Sequence, residues 1–81
     1  MNLYPNPVAS ELVLNMDLVK DGQYLTEIYD LNGKLISGKT FNVTAGKNQF
    51  VLDVNSLTAG MYLLTLTGED GTKISKSFVK F

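Results

Sequence analysis

Glu11-Leu12-Val13-Leu14-Asn15-Met16-Asp17-Leu18 sets an apolar side chain at every second position, Leu12, Leu14, Met16 and Leu18, against Glu11, Asn15 and Asp17. A period of two marks a strand with one buried face, because successive side chains of a pleated backbone point to opposite sides. The same period recurs in Tyr24, Thr26 and Ile28 around Glu27, in Phe50, Leu52 and Val54 around Gln49 and Asp53, and in Tyr62, Leu64 and Leu66 around Thr65 and Thr67. Weaker runs at Lys34 to Lys39, Thr40 to Val43 and Lys73 to Phe81 bring the strand count to about seven, with Gly, Asn or Asp between them. No stretch carries a helical period.

Short strands at even spacing predict an all-β fold: an antiparallel, immunoglobulin-like β-sandwich with Greek-key connections, a small barrel being the alternative. The inward set is predicted to be Leu12, Leu14, Met16, Ile28, Phe50, Leu52, Val54, Leu57, Tyr62, Leu64 and Leu66, with Glu27, Gln49 and Lys39 in solvent. Gly22-Gln23-Tyr24-Leu25 leads to Gly33, and Gly60-Met61-Tyr62-Leu63 leads to Gly71, each over eleven positions. Two copies suit one hairpin design used twice, turning at Asn32-Gly33 and Asp70-Gly71, where Gly accepts a positive φ.

The 81 residues, 44% hydrophobic, make one small domain over 1–81, with Met1 to Leu3 read as a linker remnant or start residue. A chain this short buries only about 60% of its unfolded surface, and without cysteine it has no disulfides, so packing alone must hold it. Seven basic against eight acidic residues give no electrostatic footprint for nucleic acid. No apolar run reaches the roughly 18 residues of a membrane span, so direct membrane insertion is not expected. Met1-Asn2-Leu3 lacks the features of a signal peptide, so an export signal would belong to a longer parent.

Catalysis finds little material. Histidine and cysteine are absent, no Ser sits in a Gly-x-Ser-x-Gly elbow, and Asp30, Asp53 and Asp70 fall in turn or strand-edge contexts that suit solvated or backbone-capping carboxylates. No enzyme, cofactor or metal is expected. Asp30-Leu31-Asn32-Gly33 opens like a calcium loop but lacks the closing Glu, and turn chemistry explains it more cheaply. Asn42-Val43-Thr44 fits the glycosylation pattern, which is frequent by chance.

Two stretches remain. In Leu3-Tyr4-Pro5-Asn6-Pro7 the prolines fix φ at alternate positions, which suits a stiff linker leading into the domain. In Leu57-Thr58-Ala59-Gly60-Met61-Tyr62, Gly60 can supply an unusual backbone angle and Tyr62 can bond back to the bend as a tyrosine corner.

Taken in order, Leu-Tyr-Pro-Asn-Pro at the start, Ile28-Tyr29-Asp30-Leu31-Asn32-Gly33-Lys34, Asp53 to Tyr62, and the closing Lys76 with Phe78-Val79-Lys80 resemble the type A C-terminal sorting domain of the type IX secretion system of Bacteroidota. The resemblance spans essentially the whole chain. It implies a C-terminal secretion signal fused to an upstream cargo domain. Partners would be the type IX machinery, meaning an outer-membrane carrier and a surface sortase that removes the label. The cargo would be periplasmic in transit, then released or joined to a lipopolysaccharide anchor at the cell surface. It further implies recognition through Gly60, Tyr62, Lys76, Phe78, Val79 and Lys80, with Tyr4, Pro5, Asn6 and Pro7 as the linker motif. Ser77 and Phe81 depart from many members, whose last residues are more basic or β-branched. The isolated domain is expected to be monomeric. The alternative is an adhesion or carbohydrate-binding module of a secreted enzyme, with Tyr24, Tyr29 and Phe41 as candidates to stack on sugars.

Overall fold

The computed structural model describes Met1–Phe81 and contains seven strands: β1 Asn2–Tyr4, β2 Glu11–Leu18, β3 Gly22–Tyr29, β4 Leu35–Val43, β5 Gly46–Asp53, β6 Gly60–Gly68 and β7 Lys73–Lys80. They form a three-stranded sheet in the order β1-β2-β5 and a four-stranded sheet in the order β4-β3-β6-β7, every pair antiparallel. The chain changes sheet between β2 and β3, β4 and β5, and β5 and β6. This is an immunoglobulin-like sandwich, and its thinnest dimension of 16 Å is that of two sheets packed face to face.

The core is what the alternation selects. Leu12, Leu14, Met16 and Leu52 come from one sheet; Ile28, Val43, Tyr62, Leu64, Leu66 and Phe78 come from the other. Two further members lie outside the strands: Val54, directly after β5, and Val8, which is fully buried. Of the predicted inward set, all are buried except Phe50 and Leu57, which are half-buried at the margins. Phe50 packs its ring on Phe41, with centroids 4.5 Å apart.

Four expectations change. Lys34 to Lys39 and Thr40 to Val43 are one strand, β4, because Gly38 is no turn residue and pairs with Glu27 inside the ladder. The seventh strand is instead β1, whose three residues are too few to show a period. Glu27 is half-buried, set between Gly38 and Thr65 across the sheet and close to Tyr29. Burial, and then the Glu27 carboxylate, raise the Tyr29 hydroxyl above its usual pKa. Thr65, read as outward, is only 3% exposed because β6 is a central strand with neighbours on both sides.

Both hairpins close with the same backbone pattern. Asp30 N donates to Lys34 O at 3.0 Å and Gly33 N to Asp30 O at 3.1 Å; Gly68 N donates to Thr72 O at 2.7 Å and Gly71 N to Gly68 O at 3.1 Å. Each is a three-residue loop ending on a glycine of positive φ, 80° at Gly33 and 88° at Gly71, the geometry that suits the right-handed strand twist.

Candidate recognition site: a clasp between the chain ends

The linker motif leaves a strand instead of leading into one. Tyr4 ends β1, and its hydroxyl accepts from Asn15 Nδ2 at 3.0 Å and Gln49 Nε2 at 3.3 Å, so the side chain reaches across the outer face of the three-stranded sheet. Pro5-Asn6-Pro7 then carries the chain over the open side of the sandwich to the edge of β7. There Asn6 Oδ1 accepts from Val79 N at 2.9 Å. Val8 N donates to Val79 O at 2.8 Å, and Phe81 N donates to Val8 O at 2.9 Å, a parallel bridge between Val8 and Lys80. The two proline residues donate nothing here, and the side chain of Asn6 supplies a contact the backbone between them does not.

The terminal strand is held equally firmly from inside. Phe78 is buried and its ring stacks on Tyr62, with centroids 5.6 Å apart and planes 23° from parallel. Tyr62 opens the inward register of β6, and its hydroxyl donates to Thr58 O at 2.7 Å, four residues back, with Thr58 Oγ1 at 3.2 Å. That is a tyrosine corner. Gly60 sits two residues before it with φ 152°, a conformation that side-chain-bearing residues rarely adopt.

Gly60, Tyr62, Phe78, Val79 and Lys80 are therefore close neighbours. Gly60 pairs with Lys80, Met61 with Val79 and Tyr62 with Phe78 across the β6–β7 ladder. Lys76 lies further along β7, opposite Leu64, and is exposed. Lys80 is not the free charge its sequence position suggests: it is 7% exposed, and its Nζ donates to Phe81 O at 3.1 Å. Val8 and Thr58 were not anticipated. The single apolar residue after Pro7 was the only trace of the first, and the second contributes chiefly its backbone carbonyl, which no side-chain pattern reveals.

The other candidates stay apart. Tyr24 and Phe41 share the inward register and pack against the core, while Tyr29 faces outward on the same sheet. No three or more acidic side chains converge where a cation would be held. Asp30 Oδ1 accepts from the backbone N–H of both Asn32 and Lys34 at 2.9 Å, so it caps its turn.

No curated protein matches the chain at a significant level. The family model described as the secretion system C-terminal sorting domain does match, over residues 2–80. It spans both halves of the clasp. That family is one of secretion signals and not of enzymes, its members act with the type IX secretion machinery, and their cargo is secreted or displayed at the cell surface. From β1 through the arm to β7, this chain belongs to the family of type IX secretion C-terminal sorting domains.

Proposed function

We propose that the domain is the terminal label of a larger protein and is recognised in the periplasm through the clasped end of β7. The match over residues 2–80 carries this reading. Support for the location comes from the hydrogen bonds that tie Asn6 and Val8 to Val79 and Phe81, since they make one surface of the two terminal motifs. Lys76 and Val79 are reachable by a partner. Tyr62, Phe78 and Lys80 act from beneath and the exposed Gly60 from the bend, by fixing the path of the strand. Once the cargo is outside, a surface sortase cuts at or before the segment leading into Tyr4, and the cargo is released or anchored. The free domain is monomeric.

The test is a fluorescent protein carrying a signal peptide and this domain at its C-terminus, expressed in a bacterium with a working type IX system. The fusion is expected at the surface or in the medium, and removal of Lys76 to Phe81 is expected to trap it in the periplasm. Because that truncation deletes Phe78 from the core, a variant that keeps the fold is needed beside it. Lys73→Gln with Lys76→Gln alters two exposed charges at a cost within about ±0.5 kcal/mol and leaves the packed Lys80 alone. Export that survives the truncation would overturn the sorting role. A saccharide-binding module is less well supported, because Tyr24 and Phe41 do not share a face with Tyr29 and so form no common stacking platform.

A further inference from the structure

β7 is the outer strand of its sheet, so one side of its backbone has no neighbouring strand. Val79 and Phe81 direct their N–H groups to that side, toward Asn6 and Val8. By the period of two, Lys73, Ser75 and Ser77 present their N–H and C=O groups along the same edge, while Ile74, Lys76 and Phe78 face the β6 ladder. No backbone bond outside that ladder reaches the three. The edge thus has a covered section, from Val79 onward, and an open one, from Lys73 to Ser77.

Charge distinguishes this edge from the others. β7 holds Lys73, Lys76 and Lys80, three of the seven basic residues of the chain, and none of its eight acidic ones. The equally long free edge of β5 mixes Lys47 with Asp53. That of β4 carries a single charge, Lys39, and begins with an irregular register at its Leu35 end. Edge lysines deter pairing with another strand of like charge and favour one of opposite charge. Ser75 and Ser77 are small and exposed, leaving the approach unobstructed.

We propose that the β7 edge from Lys73 to Ser77 is a strand-addition site for an extended acidic segment of the secretion machinery, and that the Asn6–Val8 arm sets where this site ends. The proposal rests on the sorting role and names the chemistry of the partner. Main-chain hydrogen bonds to Lys73, Ser75 and Ser77 supply the attachment, and carboxylates beside Lys73 and Lys76 supply the selection. Asn6 and Val8 already fill the last positions of the edge, so an incoming strand stops at Ser77 unless the arm lets go.

The test follows backbone amide exchange by NMR in the 81-residue domain, with a capped eight-residue valine peptide carrying glutamate at its third and sixth positions as probe, because Lys73 and Lys76 lie three positions apart on opposite faces of β7. At saturation, exchange at Lys73, Ser75 and Ser77 is expected to slow about fivefold or more, the effect of one added hydrogen bond each, with Ile74, Lys76 and Phe78 unchanged. The same peptide with lysine for glutamate is expected to protect none of them. In Asn6→Ala the footprint is expected to lengthen to Val79, and in Asn6→Asp, which keeps an acceptor oxygen, to end again at Ser77. Absent protection, protection on β4 or β5 instead, or equal effect from the lysine peptide would overturn the strand-addition site. An unchanged footprint in Asn6→Ala would overturn the role of the arm. Export of the reporter without such protection contradicts this proposal alone, and protection without export contradicts the sorting role alone.

Discussion

Tyr62 and Gly60 show how much one bend depends on single atoms. Tyr62→Phe removes the hydroxyl that donates to Thr58 O at 2.7 Å and is expected to cost about 0.5 to 1.5 kcal/mol. Gly60→Ala meets no steric obstacle, since nothing lies within 4 Å of an added Cβ, but it forces φ 152° on a residue that avoids it; a loss of about 1 kcal/mol or more is expected. Urea melts that overlay the parent would remove the structural role of the corner. Thr26 points the other way. Its Oγ1 is buried on the inner face with no hydrogen-bond partner, so Thr26→Val exchanges an unsatisfied hydroxyl for a methyl of similar size. A gain of about 1 kcal/mol is expected in the same melts, and a loss would mean that the hydroxyl is satisfied in solution.

At the level of elements, the hairpins were the most legible part, because turn dipeptides and alternating side chains are local signals and both closed as expected. The second carries a pH-dependent contact. The backbone N–H of Thr72 bonds to Asp70 Oδ1 at 2.9 Å and, with its hydroxyl, holds the Asp70 carboxyl below its usual pKa of 3.8. A carboxylate lowered by folding stabilises the folded form at pH above its unfolded value, and this contribution is lost as pH falls through the folded one. The stability difference between parent and Asp70→Asn is therefore expected to be constant well above pH 3.8 and to shrink below it, measured by urea midpoints across that range. β1 and the arm were not legible. The bond from Val79 N to Asn6 spans 73 positions, and no periodicity within either segment records a partner so distant. Gly38 misled for a related reason: its place in the middle of β4 follows from Glu27 on the neighbouring strand, and from nothing in its own run.

For the whole molecule, the clasp lets a thin sandwich without disulfides bind its two ends together, the buried Val8 entering the core from the arm and Phe78 from the last strand. Phe78→Ala is expected to cost about 3 to 5 kcal/mol, a large share of what so small a domain possesses, and so to abolish export by unfolding. Asn6→Ala removes only one side-chain acceptor from an exposed hydrogen bond, and a loss of about 0.5 to 1.5 kcal/mol is expected. The difference between the two in thermal melts separates damage to the core from damage to the clasp. Function as a sorting label adds a requirement of position that stability does not. The most direct measurement compares, in one type IX-competent bacterium, a fluorescent reporter followed by this domain with the same reporter preceded by it, scoring the fraction outside the outer membrane. Export of the first and periplasmic retention of the second are expected; export of both, or of neither while the domain stays folded, would contradict the sorting role.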